Sequence, residues 1–197
     1  MNQTVTLDLA NAKVNIPLQS LLEQIGSNIQ ATITIGASAP KAPKIGEPWP
    51  GQGGIYAGVM RGHAGKPDYH LILAVDPSAK FEEMEWGEHG SLLEGASDEW
   101  DGHANTHAIM QHEGDFPAAE AAINTFVDGH RDFYLPSKRE SALLYANLPE
   151  HFEKVWHWTS TQVSASYAAI QDFSDGGQLS YGEDVELRVR VVRRLTI

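Results

Sequence analysis

The chain has 197 residues, 42% of them apolar, and a formal net charge of −12. That length can bury a sizeable core, and the acidic balance disfavours nonspecific nucleic-acid binding, which needs cations to neutralise phosphates. There is no cysteine, so disulfides, thiolate metal sites and a thiol nucleophile are excluded.

The opening residues lack a basic region followed by an apolar run and do not read as a secretory signal. The expected place of synthesis is a bacterial host cytoplasm, which suits an intracellular protein and a virion part equally. Val5, Leu7 and Leu9 alternate with polar residues, as do Val14 and Ile16, with turn-prone Asn11 between them. This predicts a short hairpin. Leu18, Leu21, Leu22, Ile25 and Ile29 then fall on one helical stripe. Residues 1–35 are too few to bury that stripe alone. They are expected to form an oligomerisation or anchoring unit, joining copies of the chain into a trimer. Residues 36–45, with Pro40, Pro43 and three small alanines, have linker composition.

The main domain is expected over 46–197. Residues 53–60 and 69–75 read as paired strands joined by a loop containing Gly62, Gly65 and Pro67. Residues 71–75 are the longest apolar run, too short to cross a bilayer, so no membrane insertion is expected. Residues 82–101 carry eight acids, no Lys or Arg, and three glycines, the pattern of an irregular surface excursion. Helices are predicted over 102–112 and, from Pro117 in the favoured first turn, over 117–127. A third begins at Ser137, which with Glu140 has capping-box spacing. Ala142, Leu143 and Leu144 are its expected buried side. Beyond Pro149 the pattern is strand-like, with Trp156 and Trp158 flanking His157. Val185, Leu187, Val189 and Val191 alternate with polar residues as one half-buried strand.

Catalytic constellations are weak. His103 and His107 share a helix face, but neither His112 nor a nearby acid completes a ligand set at convincing spacing. The acidic run could offer oxygens to Ca²⁺, although a solvated loop explains it better. Ser160 and Ser164 have no His and carboxylate that the sequence places beside them. No catalytic residue, metal or cofactor is expected.

Four motifs occur in order. Gly129-His130-Arg131-Asp132-Phe133-Tyr134-Leu135-Pro136 leads into Ser137-x-x-Glu140. Trp158-Thr159-Ser160-Thr161 follows, and an Arg-rich strand over 188–194 closes the chain. Together with Asn105-Thr106, they resemble the DUF1566 (Lcl C-terminal-like) family, common in phages and prophages. The family pattern reads Gly-x-x-Asp-Trp-Arg-Leu-Pro and Trp-Ser-Ser-Thr. Phe133-Tyr134 departs from it, losing the usual Arg. The resemblance implies an α+β fold, a C-type-lectin-like domain carrying the small N-terminal hairpin-plus-helix unit. The related formylglycine-generating enzymes need cysteines this chain lacks, and the Glu-Pro-Asn and Trp-Asn-Asp calcium motifs of sugar-binding lectins are missing.

The segment 162–183 is rich in Ser, Tyr, Gln, Asp and Gly, as antibody paratopes are. Tyr167, Gln171, Asp172, Asp175, Gln178 and Tyr181 are therefore the expected ligand-binding residues, facing a protein or glycan whose identity the sequence leaves open. In resembling proteins of diversity-generating retroelements this region is the varied ligand face. The expected function is non-catalytic binding by a phage or prophage accessory protein, at the tail or virion surface. The alternative is an intracellular phage protein that binds a host or defence protein through its acidic surface.

Overall fold

A computed structural model of the chain describes residues 4–9, 12–17 and 41–197. The chain divides into two units, Met1–Lys41 and Ala42–Ile197. In the first, β1 (Thr4–Leu9) and β2 (Ala12–Pro17) pair antiparallel, with Val5 opposite Ile16 and Leu7 opposite Val14. The predicted helical stripe at 18–29 lies outside the described residues. The second unit begins before Gly46: Ala42 packs against Trp49, Tyr56 and Ile72, so part of the expected linker belongs to the domain.

The second unit is α+β. One sheet has the order β11-β5-β4-β3, built from β3 (Pro48–Trp49), β4 (Gly54–Met60), β5 (Tyr69–Leu73) and β11 (Val192–Thr196). The other has the order β6-β10-β7-β8-β9, built from β6 (Lys80–Met84), β7 (Trp156–Ser164), β8 (Tyr167–Asp172), β9 (Gln178–Gly182) and β10 (Leu187–Arg190). Only β7 and β10 run parallel, meeting at Arg188 and His157. Three helices, α1 (Gly102–Ile109), α2 (Pro117–Asn124) and α3 (Lys138–Asn147), cover the sheets.

Two large apolar clusters fill most of the interior, beside the smaller one of Trp49, Tyr56 and Ile72. The first gathers Trp86, Ile109, Phe116, Phe133, Leu135, Trp158, Ile170 and Val191. The second gathers Leu71, Leu73, Tyr134, Leu144, Leu148, Phe173 and Val192. The segments 133–135 and 191–192 run between them. Successive side chains of an extended chain point to opposite sides, so Phe133 and Leu135 enter one cluster and Tyr134 the other.

Several expectations change. The acidic stretch is no mere surface excursion: it opens with β6, then drives Trp86, Leu93 and Ala96 into the first cluster. Its carboxylates stay mostly at the surface while its apolar residues anchor it. Helices α1 and α2 stop at Ile109 and Asn124, short of the predicted ends. After α1 the N–H groups of Gln111 and His112 turn to acceptors three residues back, the tight ending common at helix termini. After α2, Thr125 enters the extended region. The buried side of α3 is Glu140, Ser141 and Leu144, with Ala142 and Leu143 only half-buried. The expected terminal strand is two strands in different sheets, broken at Val191. Arg190 is buried there, donating to the carbonyls of His151 and Ala74. His157, expected opposite the tryptophans in a half-exposed alternation, is buried against Phe152 and Phe173.

Candidate functional site

The motif residues converge on a buried polar hub. Glu140 is fully buried and accepts four hydrogen bonds, from the hydroxyls of Tyr69 and Tyr134 (2.7 Å each) and from the N–H groups of Ser137 (2.7 Å) and Gly102 (3.1 Å). Burial pushes its carboxyl up from the ordinary value, and the donors pull against that shift. The capping box is complete, so this one acid closes the start of α3 and ties it to α1. Thr106 Oγ1 donates to the Gly102 carbonyl (2.7 Å) and accepts from the Leu135 N–H (3.1 Å). Asn105 Nδ2 donates to Ser160 Oγ, and Thr161 Oγ1 accepts from Lys138 N–H. Arg193 makes a bidentate pair with Asp132, both contacts 2.9 Å. The buried residues of these segments are thus locked together inside the domain, while Arg131 and Asp132 stay exposed and Arg188 and Arg194 reach a cleft and a charged pocket. Ser160, buried and engaged by Asn105, has no access for nucleophilic work.

Beside the hub lies a small charged pocket of about 110 Å³ between the 61–68 loop and Trp100. Asp101 caps α1 and pairs with Lys66 (2.7 Å) and Arg194 (2.9 Å). Burial works to raise its pKa, but Lys66, the Ala104 N–H and Arg194 hold it below the usual carboxylate range. His63 stacks on Trp100. Every acid in this pocket already has a partner within the chain. On the exposed face of α1, His103 Nε2 and His107 Nε2 approach to 3.2 Å. Among the described residues, no three His, Asp or Glu side chains are arranged to hold a metal.

A wider opening is a cleft of about 490 Å³ lined by Glu82, Glu83, Lys154, Val155, Trp156, Asp172, Ser174, Glu186, Leu187 and Arg188. Half-buried Trp156 forms its aromatic wall. Its Nε1–H donates to Asp172 Oδ2 at 2.8 Å, and the Tyr181 ring sits 5.1 Å from its own. The Ser174 hydroxyl and N–H, with Trp156, hold the Asp172 carboxyl below its ordinary value, so it is ionised at neutral pH.

The six expected binding residues do not share a face. In the β8–β9 ladder Ala168 pairs with Tyr181 and Tyr167 with Gly182. Paired residues point the same way and neighbours point oppositely, so Tyr167 and Tyr181 face opposite sides of the hairpin. Tyr181 and Asp172 belong to the cleft side. Tyr167, Gln171 and Gln178 belong to the side where α3 packs. Gln171 is buried, donates to the Asp172 and Gly177 carbonyls, and accepts from Gln178 Nε2. Gln178 Nε2 also donates to the Lys138 carbonyl. Asp175 accepts from Gly177 N–H within the turn. Gln171, Gln178 and Asp175 therefore shape the hairpin, and Gln171 cannot reach a ligand. Sequence reasoning missed Trp156 as part of the site, because its spacing from Trp158 marks both as core. Only Trp158 is fully buried.

The chain matches no protein-family model and no curated protein.

Proposed function

We propose that this is a non-catalytic binding module, a phage or prophage accessory protein with a C-type-lectin-like frame. Its cleft, walled by Trp156 with Tyr181 against that ring, takes a protein or glycan ligand. The carrying observation is the contrast in surroundings. The hub residues are sealed in the interior, while Trp156 and ionised Asp172 line an open cleft with Tyr181 against the Trp156 ring, on a sheet face that continues into the core through buried Trp158 and Ile170 and is backed on its other face by buried His157 and Gln171. A rigid frame lowers the entropy lost on binding, and aromatic side chains supply most hot-spot energy. The order of the four motifs supports the family and phage reading. In the same reading residues 1–35 join copies into a trimer. Their deletion dissociates it, as light scattering would record, and a monomeric full-length protein would remove this part.

Glycan and peptide arrays probed with the full chain test the binding reading. Ligands captured by the wild type should be lost by Tyr181→Ala with an unchanged melting temperature. Retention of all captured ligands would overturn the assignment of the cleft. A second reading rests on the exposed acids Glu82, Glu83, Glu85 and Glu88, which suit an intracellular phage protein gripping a basic host or defence partner. Mass spectrometry of purified particles separates the two, since a tail or virion protein is present in them and an intracellular antagonist is not.

A further inference from the structure

The two sheets of the second unit end in four edge strands, and each offers unpaired backbone groups to any passing chain. Three are guarded. β3 is two residues long and begins with Pro48. β11 carries Arg193 and Arg194, and its Val192 is bridged by Tyr134. β6 carries Lys80, Glu82 and Glu83, and its register with β10 is irregular. The fourth, β9, reads Gln178-Leu179-Ser180-Tyr181-Gly182. It has no charge, no proline and an unbroken register with β8.

The hydrogen-bond phase of β9 follows from its two ends. Asp172 N–H donates to the Gly177 carbonyl and Glu183 N–H to the Ser166 carbonyl, so 172–177 and 166–183 are bonded pairs. Bonded and non-bonded pairs alternate in an antiparallel ladder. Leu179 and Tyr181 therefore bond β8, whereas the N–H and C=O of Gln178 and Ser180 and the N–H of Gly182 point outward along an edge that no other described strand covers; the Gly182 carbonyl already accepts from Val185 N–H. Leu179 and Tyr181 are 61% and 38% exposed and turn their side chains to the cleft side. The edge thus presents backbone groups in one direction and apolar side chains beside them.

We infer that β9 is a docking edge that accepts an extended, basic segment of a partner protein as an added strand, a deepening that rests on the binding reading of this cleft. Main-chain bonds to Ser180 and its neighbours supply affinity. Alternate side chains of the incoming strand lie beside Leu179 and Tyr181. Charge decides the partner. Exposed Asp175 precedes β9, exposed Asp184 and Glu186 follow it, and Glu82 and Glu83 line the cleft. The cations there, Lys154 and Arg188, are fewer, and Arg188 already lies 3.6 Å from Glu82. A second copy fits poorly. Antiparallel pairing centred on Ser180 would bring Asp175 of one chain beside Asp184 and Val185 of the other at both ends, and like charges across a ladder repel. A segment alternating Lys or Arg with apolar residues meets both demands.

The test uses the full chain, isotope-labelled, and an acetylated, amidated peptide alternating Lys and Val. Saturable binding should slow exchange of the outward Ser180 and Gly182 amides while leaving those of Leu179 and Tyr181 unchanged. Ser180→Pro removes an outward N–H that β8 does not use, a position where an edge strand tolerates proline. It should weaken the peptide about tenfold or more without moving the melting temperature. N-methylation of the peptide at alternate residues should do the same with the protein untouched, which keeps the test valid if the proline variant misfolds. Binding that ignores both changes but falls with Tyr181→Ala overturns strand addition and leaves the cleft reading intact. Binding that ignores all three overturns both. Failure of the peptide to bind, or a dimer that Ser180→Pro dissociates, overturns the basic partner.

Discussion

The hub around Glu140 and the hairpin of β8 and β9 are both rich in polar side chains, yet they use them in opposite ways. In the hub, one carboxylate accepts four donors and is sealed from water. Burial makes each of those bonds expensive to break, because a lost partner leaves an uncompensated group in a low-dielectric interior. In the hairpin, the internal bonds of Gln171, Gln178 and Asp175 set the shape, and the large side chains left to solvent are Tyr167 on the α3 side and Tyr181 and Leu179 on the cleft side, beside the free edge of β9. Polar composition alone does not mark a binding face. What marks it is the set of groups left over once the fold has satisfied its own.

That contrast can be broken from the hub side first. Glu140→Ala strands two tyrosine hydroxyls and two N–H groups, and should lower stability by about 3–5 kcal/mol, read by denaturant melts. A loss below about 1 kcal/mol would mean that the hub does not organise the domain.

Acid should act next, through His157. Its folded-state pKa is pushed by burial to about 4, below the ordinary 6.5. Its Nδ1–H donates to the Val155 carbonyl, and its Nε2 makes no hydrogen bond but lies 3.6 Å from Glu153 Oε2, which opposes the shift without cancelling it. As pH falls, the unfolded chain takes the proton first. The stability held above pH 6.5 is therefore lost as the pH drops towards 4, by roughly 3 kcal/mol. Melts of wild type and His157→Phe across that window measure it, and parallel curves for the two would remove His157 from the account.

The cap gives a smaller effect. Ser137→Ala deletes the side-chain acceptor for the Glu140 N–H and should cost about 1 kcal/mol. An unchanged midpoint would show that Glu140 closes the helix end without help. Smallest of all, Tyr181→Ala should change stability by less than about 0.5 kcal/mol, since it is a surface position. A larger loss would make Tyr181 a core residue and weaken its assignment to the cleft.

These effects also show what the sequence made legible. The capping box at Ser137 and Glu140, the N-terminal hairpin and the β4–β5 pair were readable because local spacing determines them. The break at Val191 was not, because alternation looks the same whether a strand continues or crosses to another sheet. Burial of Gln171 was equally hidden. A glutamine in a polar hairpin signals solvent, and only the approach of Gln178 and the turn at Gly177 satisfies its amide inside. Tyr167 and Tyr181 were grouped by composition, and the register then put them on opposite faces. Local rules reach as far as the next few residues, whereas sidedness and burial depend on partners distant in sequence.

The central claim is that recognition belongs to the cleft and the free edge of β9 and not to the hub or the charged pocket. Hydrogen-exchange mass spectrometry of the full chain, with and without the tightest ligand from the arrays, tests it most directly. The account predicts new protection in residues 178–182 and around Trp156, with none in 102–109 or 61–68. Protection confined to the pocket of Lys66, Trp100 and Asp101, with 178–182 unchanged, would contradict it.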